Sequence, residues 1–515
     1  MKVQDYKISS EKFVFAGIEK DIHDKKLETK PVSYFKDALN RFAKNKGSIL
    51  AFFIICFLVL FAIIAPFCTP YEVSDKDEYY GYVLPRNDLF CKLGFNFWDG
   101  AKSKEINVAT YTQYKAIEAE LGTTIIKGDY KKVEEEYMGK VSILYKCRVD
   151  SYKAVGAKFI LLTPAEYARL QAYQDQKGIQ VILPITQTDK RPEARQDVSN
   201  ANFWYETKLG AGNKTEIVYD DNGELKNIYK PNSGNDDYTS TMYLEGETKL
   251  YDYAIKKQSH WEVRVNYEEY YIYYHTQVLK DGITKPSFIL GTDDTGRDLF
   301  VCLASGARFS FILAIIVASV NLVVGAIYGA IEGYYGGKID LIMERFCDIL
   351  SSIPFMIVIT LLKYHLKTSH VIILFISFFL TGWIGMAGRT RMQFYRFKNQ
   401  EYVLVARTLG ARDRRIMFKH IFPNAIGTLI TGSVLVIPSV IFSETSLSYL
   451  NIINLNSGDM TSVGSLLAKG QGCLTSFPHV ILWPSVFISL LMLSFNLFGN
   501  GLRDAFNPSL RGAEE

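Results

Sequence analysis

The sequence lacks the residue patterns of the common catalytic centres. It contains no G-x-x-x-x-G-K-[ST] loop, no H-E-x-x-H pair and no G-x-S-x-G elbow, and its seven histidines are scattered. We therefore predict that the chain is not an enzyme and holds no catalytic residue, no metal and no directly bound cofactor. His420 is interpreted as an interface or packing residue.

Paired cysteine motifs are also absent. Seven cysteines at irregular spacing include no C-x-x-C, which argues against a zinc ribbon or a dithiol redox site. Cys56, Cys302 and Cys347 lie in or beside apolar runs and are expected to be free thiols. The outward-facing cysteines leave a Cys91–Cys147 disulfide open. The predicted outward set is Cys68, Cys91, Cys147 and Cys473.

Charge is missing from long stretches of the chain. The net charge of +4 is too small to indicate a nucleic-acid partner. Residues 47–67 carry no charge, which matches the ~20 residues that cross a bilayer. A signal peptide is the alternative, but the run is too long and too far from the start, and Pro66 spoils the cleavage site. Basic residues in the charged segment 1–46 place the N-terminus in the cytoplasm.

Five further apolar runs predict an all-α multi-pass membrane protein with six transmembrane helices. The basic residues after the fourth run and the single base, Lys469, before the sixth satisfy the positive-inside rule with both termini cytoplasmic. A soluble cytosolic protein would leave the uncharged runs unexplained. The predicted further spans are Phe309–Ile331, Phe346–Leu362, Val371–Gly388, Asn424–Phe442 and Val480–Phe498.

Residues 68–287 differ in composition and predict an extracytoplasmic α+β insert. The segment 156–185 is typical of strand, helix and strand, with Thr163 as N-cap, Glu166 completing a capping box and Gly178 ending the helix. Asn222-Gly223 predicts a β-hairpin turn. The run "VNYEEYYIYYHTQV" is interpreted as an aromatic-rich strand near the membrane, with a ligand-contact surface as the alternative.

The stretch "EYVLVARTLGARDRRIMFKHIFPN" lies on the cytoplasmic side between two spans. Glu401–Leu409 predicts a short helix, Gly410 a sharp turn, and Ala411–Ile421 a second helix that Pro423 ends. Such a projection suits docking into a groove of a soluble partner, where Arg407 and its basic neighbours fix orientation. A merely basic loop that orients the protein is the alternative.

Two further patterns are candidate functional sites. In "LGTDDTGRDLF", Gly291 and Gly296 permit tight turns, Arg297 can pair with a carboxylate and Asp298 can cap the following helix. We expect a structural brace rather than a substrate contact. Polar residues in the third predicted span, at Asp348, Ser351, Ser352 and Pro354, could line a passage for a polar substrate, although Asp348 could also lie at the cytoplasmic helix end.

These motifs resemble those of bacterial ABC importer permeases. The coupling loop 401–423 is similar to the family's Glu-Ala-Ala, Gly and Pro signature: Leu404 and Val405 depart from it, whereas Ala406, Gly410 and Pro423 match. "LGTDDTGRDLF", "SETSLSYLNI", "SVGSLLAKGQ" and "FNLFGNGLRDAFNPSLRG" resemble the second permease subunit of the oligopeptide, dipeptide and nickel transporters. The resemblance covers about residues 30–70 and 288–511 and omits the large insert.

The resemblance implies a type I ABC importer permease fold, with a core at 288–511, in a bacterial plasma membrane. Implied partners are a homologous second permease, two cytoplasmic ATPases that hold ATP and Mg, an extracytoplasmic substrate-binding protein and a peptide. A nickel-chelate importer and a receptor that uses its insert are the alternatives. Implied coupling residues are Glu401, Ala406, Arg407, Gly410, Ala411 and Pro423, and the outer signature is Gly291, Thr292, Asp293, Gly296, Arg297 and Asp298.

Overall fold

A computed structural model of the chain provides the architecture. It describes residues 34–92, 98–137, 140–183, 185–186, 194–196, 204–209, 215–217, 241–244, 248–455 and 460–506. The hairpin turn predicted at Asn222-Gly223 lies outside these residues. Domain boundaries at 46, 67 and 287 remain predictions.

Five helical segments of the described chain are long and apolar enough to cross a membrane. They are Lys46–Phe67, Leu299–Tyr335, His370–Phe397, Asp413–Tyr449 and His479–Phe506. Each predicted apolar run lies in one of them, except Phe346–Leu362. The helices within the permease part are α1 (Tyr34–Lys44), α2 (Lys46–Ile64), α7 (Leu299–Tyr335), α8 (Gly337–Ser351), α9 (Phe355–His365), α10 (His370–Thr381), α11 (Ile384–Phe397), α12 (Glu401–Thr408), α13 (Asp413–Arg415), α14 (Phe422–Val434), α15 (Val436–Tyr449), α16 (Val463–Gly472) and α17 (His479–Phe506).

The third predicted span is broken rather than straight. Helices α8 and α9 form an apolar pair bent by 72°. Pro354, at the N-cap of α9, has no backbone N–H, which prevents one continuous helix from forming there. The pair counts as a sixth crossing only if both halves together form one broken span.

Helix α7 is the central element of the membrane part. Gly325, Gly329 and Gly333 recur every four residues on one face, where an added Cβ would collide with backbone atoms of α11. Small residues allow two spans to approach closely, which increases van der Waals contact where the lipid supplies no hydrophobic driving force. Helix α11 therefore packs directly on α7, and Phe394 of α11 is fully buried.

The elements between α2 and α7 include both helices and strands. The predicted strand, helix and strand are β4 (Ala157–Leu162), α5 (Pro164–Lys177) and β5 (Ile182–Leu183), and the capping box of Thr163 and Glu166 is present. β13 (His260–Asn266) pairs antiparallel with β4, β5 and β12 (Ala254–Lys257). The remaining elements are α3 (Asp88–Lys92), α4 (Val108–Leu121), α6 (Tyr267–Tyr273), β6 (Ile185–Thr186), β7 (Ala194–Gln196), β8 (Trp204–Leu209), β9 (Thr215–Ile217), β10 (Thr241–Leu244) and β11 (Thr248–Asp252).

A second sheet forms a small unit of its own. Strands β1 (Ala101–Asn107), β3 (Lys140–Asp150) and β2 (Ile126–Tyr137) are antiparallel in the order β1-β3-β2. Helix α4 covers one face through the fully buried Ile117. Ala101 is the register partner of Asp150, so the unit's two ends lie side by side.

One prediction within this region is wrong, and one possibility left open is not observed. The tyrosine-rich run is helical over Tyr267–Tyr273 and continues as a π-helix over Tyr274–Leu279. Two acids in the first turn, Glu268 and Glu269, favour the helix, and Tyr267 and Tyr271 share a buried face one turn apart. Cys91 and Cys147 are free thiols, with Cys147 packed inside the small β1-β3-β2 unit.

Candidate functional site

The predicted turn at Gly410 is present in the loop 401–423, and it is a Schellman motif. Helix α12 ends where Gly410 N–H donates to Arg407 O at 3.0 Å and Ala411 N–H donates to Ala406 O at 3.1 Å. Gly410 has φ +80°, a left-handed conformation that strains residues with a Cβ. The glycine therefore fixes the direction in which the chain leaves α12.

The second half of the loop differs from the prediction. Pro423 does not end a helix: it lies in the first turn of α14, where its missing N–H is tolerated. Chain 413–449 is one membrane-length segment that contains a π-helix at Ile416–Ile421. The loop is thus continuous with the next span, so its movement would be transmitted directly to that helix.

A hydrogen bond and a buried cluster tie the loop to α7. Tyr334 donates its hydroxyl to Asp413 Oδ1 at 2.6 Å, and the Arg407 guanidinium lies 5.8 Å from the Tyr334 ring centroid. Below them, Val403 and Ile416 are fully buried. This inner side is fixed to the membrane helices.

The opposite side of the loop carries apolar groups exposed to solvent. Leu409 is 81% exposed and Val405 is 56% exposed, and Leu404 is exposed beside them. Glu401 and Arg407 are exposed as well, while Ala406 and Ala411 are half-buried. Exposed apolar groups rimmed by charge are typical of a protein interaction surface.

The outer signature folds into a hydrogen-bonded turn around Asp293. Its fully buried carboxylate accepts bonds from Arg297 N, Arg297 Nε and Thr295 Oγ1 at 2.8–3.0 Å. Burial alone would raise the pKa of Asp293, but the Arg297 and Lys469 cations hold it below its usual value. Asp298 caps α7 by accepting from Phe300 N at 3.0 Å. The predicted ion pair and cap are confirmed.

The signature joins three parts of the chain. Thr292 donates its hydroxyl to Tyr80 O at 2.6 Å, which connects the signature to the start of the insert. An added Cβ at Gly296 would overlap the Asp77 carbonyl, so this glycine permits close approach. On the other side, Lys469 of α16 lies 3.0 Å from Asp293 and 2.7 Å from Asp294. These contacts make the signature a structural junction.

The polar residues of the broken span lie apart from both sites. Asp348 pairs with Arg345 at 2.8 Å, and both side chains are more than half exposed. Ser351 and Ser352 are exposed and bond backbone oxygens three residues earlier. Their role in a passage stays a prediction.

Two polar clusters, one buried and one half-buried, were not found from the sequence. Glu444 is fully buried and accepts bonds from Ser310 at 2.7 Å and Ser448 at 3.1 Å. Arg391 pairs with Asp340 at 2.6 Å and Glu344 at 2.5 Å, with Glu332 close by. Acids at 332, 340 and 344 could also hold a metal ion, but Arg391 already supplies a counter-charge. In the sequence, Glu444 could have been noticed as a single charged residue within an apolar run.

These features are those of a membrane protein with several apolar spans and an exposed loop between two of them. Residues 321–512 match the family "Binding-protein-dependent transport system inner membrane component", and residues 33–85 match "N-terminal TM domain of oligopeptide transport permease C". The chain belongs to the oligopeptide and dipeptide ABC transporter permease family. Both matches exclude most of the insert.

Individual relatives agree with this assignment. The oligopeptide transport system permease protein OppC of Bacillus subtilis is 42% identical over 43% of this chain and 72% of its own length. The dipeptide transport system permease protein DppC of the same organism is 37% identical over 43% of this chain and 68% of its own length. A solved chain of the MetNI methionine ABC transporter aligns at 14% identity over 40% of this chain and 96% of its own, with a TM-score of 0.31, too low to support an argument.

Proposed function

We propose that this chain is one permease subunit of an ATP-driven importer of oligopeptides or dipeptides. The observation that supports the proposal most strongly is the loop around Gly410. This loop is exposed and continues directly into a span, and it has no ATPase site of its own. The relatives named as oligopeptide and dipeptide permeases support peptide as the substrate. In this proposal, ATP and Mg are held by two partner ATPases.

The proposed mechanism is alternating access. Closure of the ATPases on ATP moves the loop 401–423, and the continuous segment 413–449 carries that motion into the membrane. A homologous second permease completes the passage, and a binding protein delivers peptide from outside. The charge distribution supports cytoplasmic termini and an extracytoplasmic insert in a bacterial plasma membrane.

Reconstitution tests this function. The tagged protein is purified from gently solubilised membranes with its partners, and the complex is placed in proteoliposomes containing ATP and Mg. We expect a second permease and two ATPases to copurify, with ATP-dependent accumulation of labelled peptide. Accumulation of chelated nickel without peptide would favour the nickel alternative, and recovery of the chain without ATPases would contradict an importer.

The bond between Tyr334 and Asp413 tests the link from loop to span. Tyr334→Phe removes the donor but keeps the buried ring, so the loop loses a hydrogen bond to a charged group, worth roughly 1.5–3 kcal/mol. We expect peptide uptake per ATP hydrolysed to fall while ATPase binding persists. Tyr335→Phe is the matched control, because that neighbouring tyrosine is 51% exposed. Equal uptake in both variants would refute the role of the bond.

We further propose that the insert docks the binding protein. The small β1-β3-β2 unit can be removed without touching the signature, because the register places Ala101 beside Asp150. Replacing residues 102–149 by a short glycine linker keeps the contacts of Asp77 and Tyr80 with the signature. We expect weaker association of the binding protein and slower uptake at limiting binding protein. Unchanged association, measured by surface plasmon resonance, would remove this unit from the docking surface.

A further inference from the structure

A polar stripe runs along the segment 413–449. Asn424, Thr428 and Ser439 are exposed on this span, at separations of four and eleven residues. Asn424 and Thr428 are one turn apart on α14 and share one face, and Ser439 lies on α15, beyond the turn at Leu435. Polar side chains on a membrane helix rarely face hydrocarbon and usually line protein or water. The stripe therefore favours a face of this segment that meets protein or water rather than lipid.

At its inner end the stripe opens into a groove of about 300 Å³ between α11, α14 and α17. Arginines project into it from two of these helices: Arg389 and Arg396 from α11, and Arg503 from the last turn of α17. Hydroxyl and amide side chains contribute half of the remaining lining, and Gly432, Leu435 and Phe506 contribute the other half. The polar lining residues are Arg389, Gln393, Arg396, Thr428, Thr431 and Arg503.

The groove is strongly cationic. Among the described residues, no carboxylate lines it and none of the three arginines pairs with one. Arg389 donates to Gly432 O at 3.1 Å, and the Arg396 guanidinium lies 5.5 Å from the Phe397 ring centroid. These contacts orient the guanidinium groups without neutralising them. Their planar donor pairs match the two oxygens of a carboxylate.

The two arginines of α11 are arranged along the axis of that helix. Arg389 and Arg396 are seven residues apart, about two turns, and therefore lie on the same face of α11. Arg389 is eight residues before the end of its membrane-length segment at Phe397, roughly 12 Å along a helix. Arg389 also follows directly after the apolar run that ends at Gly388, so both arginines lie at the inner end of this span.

We infer that this groove is the chain's share of the inner half of the passage and that its arginines bind the C-terminal carboxylate of a peptide in transit. The inference rests on the proposed function and assigns the substrate group that is recognised. A free carboxylate is common to linear peptides of any sequence, so binding it needs no side-chain selectivity. The hydroxyl and amide groups of the lining can also bond the backbone amides of a peptide, which favours a peptide over an anionic lipid headgroup.

Paired peptides test the inference in proteoliposomes that hold the complete transporter. One labelled peptide has a free C-terminal carboxylate, and the other is the same sequence with a C-terminal amide. Maximal uptake rates are compared for the wild type, Arg389→Gln and Arg396→Gln. We expect either variant to lower the acid-to-amide ratio of the rates about tenfold, as loss of one charge-assisted hydrogen bond predicts. Arg389→Lys should retain part of the ratio.

Lys338→Gln is the matched control, because it removes one exposed positive charge from α8, outside the groove. It should leave the ratio at the wild-type value. Equal slowing of both peptides in the arginine variants would overturn the inference. Slowing only in vesicles that contain anionic lipid would also overturn it and would assign the groove to a lipid phosphate. Uptake of neither peptide by the wild type would contradict the proposed function itself.

Discussion

Replacing Gly410 with valine is expected to abolish peptide uptake while leaving membrane insertion intact. The residue has φ +80° in the Schellman turn, and no atom lies within 4 Å of an added Cβ. The effect therefore comes from the backbone: a β-branched residue disfavours the left-handed conformation by more than the roughly 1–2 kcal/mol that an ordinary residue loses. The turn would open, and the exposed face at Leu409 would change direction relative to α7.

Uptake, ATPase copurification and membrane content of the variant are measured together. Gly410→Asn should retain much more uptake than valine, because asparagine tolerates the left-handed region. Gly122→Val is the matched control: that glycine has φ +62° and equally open surroundings, but lies in the insert. Normal uptake by Gly410→Val would show that the turn does not transmit motion.

Loss of the Asp293 carboxylate should produce the largest change in stability. Asp293→Ala removes the acceptor for Arg297, Thr295 and Lys469 and leaves the nearly buried Arg297 without this counter-charge. Breaking a buried ion pair from one side typically costs about 3–5 kcal/mol. We therefore expect a much lower melting temperature of the detergent-solubilised protein.

The adjacent acid supplies the comparison. Asp294 also pairs with Lys469, but its side chain is 44% exposed, so Asp294→Ala should cost less than about 1 kcal/mol. Asp293→Asn keeps an oxygen that can accept hydrogen bonds in the turn, so its melting temperature should fall between those of the two alanine variants. If the Asp293→Ala and Asp294→Ala variants have the same melting temperature, the buried pair contributes little to stability and the signature is held by its backbone contacts.

Features set by neighbouring residues could be predicted from the sequence. The Thr163 cap, the Gly410 turn, the Asp298 cap and the Asp293–Arg297 pair each involve residues within five positions of one another. Their geometry follows from local hydrogen bonding and backbone preference. The long uncharged runs likewise predicted the spans, because a bilayer tolerates few alternatives.

Features that depend on distant packing could not be predicted. Lys469 reaches Asp293 across 176 residues, and nothing in either local sequence selects that partner. The tyrosine run has strand propensity, but burial of Tyr267 and Tyr271 on one face favours a helix. Pro354 was visible, yet the 72° bend depends on how α8 and α9 pack after the break.

The contact between Gly296 and Asp77 also determines which segments of this chain could be exchanged with those of a relative. If two ordinary linkers joined the insert to the permease part, the insert could be cut out at its boundaries and transplanted. Here the hydrogen bonds from Tyr82 N to Asp293 O and from Arg86 N to Phe288 O interleave the insert's base with the permease signature. A chimera would therefore need residues 77–86 and 288–298 from the same parent, because each segment supplies the surface on which the other folds.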